Sequence, residues 1–223
     1  PVMGRLNASG YKTLHMALNS RGQFDKEDVD QAYHGHGRKT SAIIADIVAQ
    51  SRDRRGVMIF AATVQHAKEC MSSLPPGLSA LVTGETKASE RKRIIDRFKA
   101  QEIKYVVNVS VLTTGFDAPH VDVIAMLRAT ESVGLLQQII GRGLRLSDGK
   151  EDCLILDYAE NIDRHCPDGD IFSPEVRAGP VGGEVITINA TCESCGTVNE
   201  FKARQNEDGF EIDENGYFVD LDG

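Results

Sequence analysis

The sequence predicts an α/β fold, in which helices cover both faces of a parallel sheet. Between residues 57 and 156, short apolar runs rich in Val and Ile alternate with longer amphipathic segments. The runs consist mostly of apolar residues and do not alternate regularly with polar ones, which indicates strands that are buried on both sides. Right-handed crossovers between such strands predict a doubly wound sheet.

Each predicted element follows from its apolar spacing. The strands cover residues 57–61, 80–82, 104–109, 121–127 and 153–156. The helices cover residues 40–50, 64–71, 89–100 and 132–140, and a further helix begins near Asp25. In such sheets ligands bind outside the carboxyl ends of the strands, and we expect the site there.

Breaks in this pattern divide the chain into four parts. Residues 1–40 are a connector interrupted by glycines, and residues 41–160 are the α/β domain. Residues 161–184 form a linker that contains Pro167, Pro174 and Pro180. Residues 185–223 predict a small β-rich module with a hairpin at Asn215-Gly216.

Charge is divided unevenly along the chain. The whole sequence carries a net charge of −8, but residues 1–150 hold 21 Lys and Arg against 15 Asp and Glu. Residues 151–223 hold 4 against 18, which makes this part strongly acidic. A mildly basic domain suits sequence-independent binding of phosphates. The alternative is that its basic clusters, such as 52–55 and 91–93, are solvated helix faces.

The cellular location is predicted from features that the sequence lacks. No apolar run is long enough to span a membrane, and no signal-peptide core follows the first residue, which is not Met. We therefore expect a piece of a longer protein that makes no membrane contact. The five cysteines do not resemble a disulfide framework, so we expect a reduced, cytoplasmic environment.

The segment Gln138-Ile-Ile-Gly-Arg-Gly-Leu-Arg145 is the most informative motif. Its two arginines, Arg142 and Arg145, are three residues apart and follow a glycine. Guanidinium groups stay charged and bind phosphate oxygens bidentately, so the motif predicts a polyphosphate site. The alternative is a pair of cations that complements the dipole at a helix end.

The surrounding motifs carry a family resemblance. Upstream lie Leu112-Thr-Thr-Gly-Phe-Asp-Ala-Pro119, then Phe98 and Glu90-Arg91, and before these Thr83-Gly84. This ordered set, over residues 56–158, resembles the second motor domain of superfamily 2 helicases and translocases. The resemblance implies a RecA-like fold of the P-loop NTPase type. Within the family the likeness is greatest to the bacterial RadD-like DNA repair branch. The 112–115 stretch also resembles the motor subunits of type I restriction enzymes.

The resemblance assigns roles to the residues of these motifs. Arg142 and Arg145 resemble arginine fingers that stabilise charge on the transferred phosphoryl group. Gln138 would contact the γ-phosphate or water, and Gly141 belongs to the same nucleotide-binding motif. Asp117 resembles the carboxylate that bonds the ribose hydroxyls or couples to the arginines, and Gly115 permits the turn before it.

Nucleic-acid contacts are implied at two further places. Thr113 and Thr114 correspond to residues through which the family contacts nucleic acid, and hydroxyls and amides bind phosphate without reading bases. Thr83-Gly84 is the other candidate, for which an ordinary turn at the end of a strand is an equal alternative.

The chain lacks the other half of an ATP site. No Gly-x-x-x-x-Gly-Lys-[Ser/Thr] loop occurs, since Gly37-Arg-Lys-Thr40 carries Arg where that loop needs Gly. No acidic box for Mg²⁺ is present either. We therefore expect ATP and Mg²⁺ to be cofactors of the intact protein, with a missing N-terminal RecA-like domain, and this chain alone to bind nucleotide only weakly and to be inactive.

These expectations combine into one functional hypothesis and two alternatives. The hypothesis is the C-terminal motor domain of an ATP-dependent DNA helicase or translocase in DNA repair. Its partners would be DNA, which it would bind independently of base sequence, and a single-stranded-DNA-binding protein. The alternatives are the motor part of a type I restriction enzyme subunit and a non-catalytic nucleic-acid-binding module.

A metal site is implied near the end of the chain. Cys192-x-x-Cys195 resembles one half of a zinc ribbon. A structural Zn²⁺ needs four ligands, and no Cys or His follows Cys195. The resemblance therefore implies a ribbon that is completed beyond residue 223, and an incomplete site within this chain.

Overall fold

The computed structural model describes residues 2–6, 10–109, 118–167, 185–191, 198–204, 211–212 and 218–219. The chain divides into two compact units, Pro1–Glu175 and Val176–Gly223. The first unit contains the helices and a six-stranded sheet. The second contains two antiparallel strand pairs.

All six strands of the large sheet run parallel. They are β1 (Val2–Leu6), β2 (Gly56–Phe60), β3 (Ser79–Val82), β4 (Tyr105–Asn108), β5 (Val121–Met126) and β6 (Cys153–Asp157). Their order across the sheet is β1-β6-β5-β2-β4-β3. The predicted doubly wound, RecA-like fold class is thus confirmed.

Helices cover both faces of this sheet. They are α1 (Lys26–Tyr33), α2 (Gly37–Gln50), α3 (Val64–Ser73), α4 (Ala88–Lys99), α5 (Val133–Gly143) and α6 (Asn161–His165). Alternate strand residues face opposite ways, so Met58 packs with α4, α5 and α6 while Ile59 packs with α1, α2 and α3. The apolar runs are therefore buried on both sides, as the sequence predicts.

Two elements of the first unit were not predicted. Strand β1 pairs in parallel with β6, from Val2 beside Cys153 to Leu6 beside Asp157, so the predicted connector begins inside the sheet. Helix α6 buries Ile162 against the core. The folded unit therefore continues past residue 160, where the predicted linker begins.

The second unit is β-rich. Strands β7 (Val185–Thr191) and β8 (Val198–Arg204) pair antiparallel, as do β9 (Glu211–Ile212) and β10 (Phe218–Val219). Residues 213–217, which include the predicted turn at Asn215-Gly216, lie outside the described residues.

Within the described part of the chain, no helix has the length and apolar character that a membrane crossing requires.

A buried histidine joins three segments of the first unit. The His66 Nδ1 accepts from the Ala62 N–H (3.4 Å), and its Nε2 lies 2.9 Å from the Tyr11 hydroxyl. That hydroxyl lies 2.8 Å from the Thr40 Oγ1, and the Tyr33 ring stacks on His66 with centroids 5.1 Å apart. Since Nδ1 accepts a hydrogen bond, the neutral ring carries its proton on Nε2.

This histidine is expected to make stability depend on pH. Burial, together with the charge of His34, lowers the pKa of His66 to about 4, from an ordinary value near 6.5. Between these pH values the unfolded chain binds a proton that the folded chain does not. The contribution of neutral His66 to the free energy of unfolding is therefore fully present above pH 6.5 and is lost as the pH falls towards 4. The loss is about 3 kcal/mol. Urea unfolding across this range should show it, and a His66→Gln variant should lose less. An unchanged pH slope in that variant would contradict this.

Candidate functional site

The motif that contains both arginines occupies the last part of α5. The helix begins after Ser132, whose hydroxyl accepts from the Leu135 N–H at 3.2 Å. Its buried residues recur at helical spacing and fix the side that packs on the sheet; they are Leu136, Ile139, Ile140 and Gly143. Gln138, Gly141 and Arg145 are consequently exposed, and Arg142 is half-buried.

The direction of α5 places the arginines at the edge where the strands begin, which we call the amino edge. The helix connects β5 to the parallel β6, so it runs opposite to the strands. Its last residue, Gly143, packs beside Cys153, the first residue of β6. The expectation that this site lies at the carboxyl ends of the strands is therefore wrong for Arg142, because the motif lies at the end of a crossover helix and not at its start.

The two glycines beside Arg142 have different surroundings. A Cβ on Gly143 would overlap the Cys153 Sγ and lie 2.8 Å from the Ile124 Cγ1, so this glycine lets the helix approach the sheet. A Cβ on Gly141 would meet nothing within 4 Å. Packing in the described part of the chain therefore explains Gly143 and does not explain Gly141.

A lysine connects the end of α5 to the segment before β5. The Lys150 Nζ donates to the carbonyl oxygens of Gly143 (2.5 Å), Arg145 (2.8 Å) and Pro119 (3.2 Å). Pro119 is two residues after Asp117, the candidate ribose ligand. Asp117 and Gly115 themselves lie outside the described residues, as do Thr113 and Thr114.

A polar cavity of about 470 Å³ lies beside Lys150 at the amino edge. Its lining includes Arg55, whose guanidinium donates to the carbonyls of Asp148 (2.6 Å) and Gly149 (2.5 Å). Asp122 also lines it and accepts from the backbone N–H groups of Arg55 and Gly56 at 3.0 Å. The charged groups of this cavity thus hold the loop between α5 and β6.

Thr83 and Gly84 form a turn at the opposite, carboxyl edge, directly after β3. The Thr83 Oγ1 accepts from the Glu85 N–H (3.3 Å), and the Thr86 Oγ1 accepts from the Thr83 N–H (2.9 Å). Arg91 of α4 donates to the Thr83 and Thr86 carbonyls at 3.5 and 3.3 Å. The Thr83 side chain is buried in this turn, while Gly84 is exposed. A strand-end turn is therefore present. Because the backbone at Gly84 is exposed, a contact between this turn and nucleic acid stays a prediction.

A buried polar network that was not predicted from the sequence lies near the start of α5. The Asn161 Oδ1 accepts from the N–H (2.7 Å) and the hydroxyl (2.9 Å) of Thr130. Asn161 also donates to Asp157 (3.0 Å), whose pKa burial raises although backbone N–H groups oppose the shift. The network ties the loop before α5 to the end of β6. An Asp after an apolar strand with Asn four residues later was the available signal.

Metal binding has no candidate in the part of the chain that the structure describes. There, no group of at least three His, Cys, Asp or Glu side chains is placed to hold an ion. Cys192 and Cys195 lie outside the described residues. The zinc site therefore stays a prediction.

Comparison with known proteins identifies relatives of this chain. Residues 39–147 match the helicase conserved C-terminal domain. The chain is 41% identical over 114 residues to irc3 of Schizosaccharomyces pombe, named as a mitochondrial ATP-dependent helicase. This match covers 50% of the chain and 19% of irc3. It is 46% identical over 77 residues to the Saccharomyces cerevisiae IRC3, named as an ATP-dependent helicase, covering 34% of the chain and 11% of that protein. The chain thus spans a fifth or less of these relatives.

One solved structure shows the same fold. It is a fragment of an HsdR subunit of a type I restriction enzyme from Vibrio vulnificus YJ016, with a TM-score of 0.56 and 23% identity. The likeness covers 74% of this chain and 35% of that one. At this identity it supports the fold and does not select the restriction enzyme alternative.

Proposed function

Because residues 39–147 match the helicase conserved C-terminal domain, we propose that this chain is the second motor domain of an ATP-dependent DNA helicase or translocase of superfamily 2. In the intact protein it would supply arginine fingers to an ATP molecule held by a first motor domain. It would also supply contacts to the nucleic acid on which the motor moves.

The position of the two arginines is the observation that carries this proposal. Arg142 lies in the last turn of α5, and Arg145 lies two residues beyond the helix. Lys150 holds their backbone next to Pro119, so two motifs of the family meet at one edge of the sheet. This arrangement fits a half-site that faces ATP across a cleft, where guanidinium groups stabilise the charge that develops on the phosphoryl oxygens.

Gly141 supports the same interpretation. Glycine in an exposed helix costs roughly 0.5–1 kcal/mol relative to alanine. No atom lies within 4 Å of the position that its Cβ would take, so nothing in the described residues compensates for that cost. We infer that Gly141 leaves room for a close approach to the helix backbone, and a nucleotide phosphate fits that space.

The remaining parts of the ATP site would come from the first motor domain. The chain has no phosphate loop and no acidic box for Mg²⁺, so we propose that it hydrolyses no ATP alone. Gln138, Asp117 and Gly115 would complete the nucleotide contacts from this side. Thr113 and Thr114, with the turn at Gly84, would contact DNA.

The wider assignment depends on the sequence. DNA repair of the RadD-like branch and a single-stranded-DNA-binding protein as partner follow from the resemblance. The cysteine usage supports a cytoplasmic location, and Cys192 with Cys195 would hold Zn²⁺ together with a second pair of ligands.

DNA binding is the property that tests the proposed substrate. The second unit carries 3 basic against 10 acidic residues, whereas residues 1–175 carry 22 against 23. A chain that ends after Glu175 should therefore bind single-stranded or duplex DNA more tightly than the whole chain, because less negative charge repels the phosphates. The cut is placed there because α6 belongs to the first unit.

Fluorescence anisotropy with several sequences across a salt series measures this. We expect no base preference and a steep loss of affinity as salt rises, since counterions are released on binding. Neither form should hydrolyse ATP, with or without DNA. Equal or weaker binding by the shortened chain would mean that the second unit carries the DNA contact, which favours the non-catalytic binding module.

A further inference from the structure

The ammonium group of Lys150 binds the backbone at three separate places. Its acceptors are the carbonyl oxygens of Gly143 at 2.5 Å, Arg145 at 2.8 Å and Pro119 at 3.2 Å. A lysine ammonium has three N–H donors and no acceptor, so these bonds use its whole donor capacity. The side chain therefore acts as a cross-link between the end of α5 and the segment that enters β5.

The three carbonyls that Lys150 binds belong to the two motifs that would face the nucleotide. Gly143 and Arg145 lie on either side of the end of α5, where carbonyl groups have no partner within the helix and carry partial negative charge. Pro119 does not belong to this helix; it lies before β5, in the family motif that contains Asp117. One cation therefore fixes the backbone of both motifs that face the proposed nucleotide.

Arg55 supports the same loop from its other side. It donates to the carbonyls of Asp148 and Gly149, directly before Lys150. Asp122 accepts from the Arg55 N–H at 3.0 Å and so fixes the backbone from which that guanidinium extends. The loop between α5 and β6 is thus held at both ends, and Lys150 binds the Arg145 carbonyl at its start.

Lys150 is half-buried beside the amino-edge cavity. This burial lowers the pKa of its ammonium, and Asp122 partly offsets that effect. The charge remains because the carbonyls replace the water that the ammonium has lost. Removing the ammonium would leave polar carbonyls at the helix end without their partner.

We infer that Lys150 is a positioning residue for ATP turnover, which holds the arginine-bearing end of α5 against the segment that follows Asp117. It touches neither ATP nor the reacting atoms and acts through Arg142 and Arg145. A displacement of about 1 Å at a catalytic group can cost on the order of 10²-fold in rate. The inference depends on the proposed function, because it needs these arginines to act on ATP.

The test compares Lys150→Met with Lys104→Met in the intact protein. Lys104 is a matched control because it is also half-buried, has a pKa lowered by burial, and donates to two carbonyls, Ser51 (2.5 Å) and Arg52 (3.0 Å), at the end of α2. We expect Lys150→Met to lower kcat for ATP hydrolysis by about 10- to 100-fold, with KM within about twofold. Lys104→Met should retain kcat, although both variants lose thermal stability.

A double-mutant cycle separates positioning from general damage. If Lys150 acts through the arginines, Lys150→Met should cause no further loss of kcat in a variant that already carries Arg142→Ala and Arg145→Ala. An independent further loss, an unchanged kcat in Lys150→Met, or equal losses in both lysine variants would overturn the inference. Normal turnover in Arg142→Ala with Arg145→Ala would instead overturn the proposed function.

A second variant keeps the test decisive if Lys150→Met does not fold. Lys150→Arg keeps the charge, but a planar guanidinium distributes its donors differently from a compact ammonium. We expect at least about a threefold loss of kcat with KM unchanged. Full kcat in a folded Lys150→Arg variant, taken with an unfolded Lys150→Met, would overturn the inference.

Discussion

Replacing Arg142 by alanine in the intact protein is expected to lower kcat for ATP hydrolysis by about 10³- to 10⁵-fold, the range that arginine fingers contribute. Arg145→Ala should act in the same direction. ATP affinity should change little, because the guanidinium groups act on charge that develops only in the transition state. Steady-state turnover and nucleotide binding, measured on the same preparations, give both quantities.

The control for this expectation is Arg21→Ala. Arg21 is an exposed cation in the loop before α1, so its removal changes net charge equally without touching α5. Near-normal turnover in both Arg142→Ala and Arg145→Ala would return these residues to the alternative, in which they complement the dipole at a helix end.

The two glycines of the motif are expected to respond in opposite ways to alanine. Gly143→Ala should lower the free energy of unfolding by about 1–3 kcal/mol, because a Cβ there overlaps the Cys153 Sγ and crowds Ile124. Gly141→Ala should raise it by up to about 1 kcal/mol, because alanine is the better helix former and the space is empty. Urea unfolding of each variant measures both effects.

The glycine pair also has a functional consequence. If a nucleotide phosphate approaches the helix backbone at Gly141, Gly141→Ala should impair ATP turnover in the intact protein while the fold becomes more stable. A stabilised Gly141→Ala variant with full turnover would remove this glycine from the proposed site. Equal destabilisation by both substitutions would contradict the packing described for α5.

The central sheet could be predicted because its signal is local. Strand β2 is an uninterrupted apolar run, and β5 is apolar except for Asp122 near its start; burial on both faces produces such runs directly. Helix α5 could also be predicted, since its buried residues recur at helical spacing after the N-cap Ser132. The motif order then indicated the family without any structural information.

The parts that could not be predicted depend on contacts that the spacing of apolar residues does not encode. Strand β1 contains Gly4 and Arg5, which do not indicate a strand, and it is a strand because it pairs with β6. Helix α6 is only five residues long and begins after Glu160, whose φ is +54°. It is held by the Asp157 carboxylate, which accepts from the Ile162 N–H at 2.8 Å.

Lys150 was missed for the same reason. It lies seven residues beyond the end of α5, so a search for cations in the last helical turn does not include it. The amino-edge position of Arg142 likewise follows from the direction of a crossover helix, which the motif alone does not encode.

Binding of a transition-state mimic shows whether Arg142 and Arg145 act on the phosphoryl group during its transfer. The affinity of the intact protein for ADP with aluminium fluoride should fall at least about 10²-fold in Arg142→Ala, while ATP affinity stays within about threefold. If ATP and the mimic lose affinity equally, or if neither does, the arginines have no role specific to the transition state and are not arginine fingers.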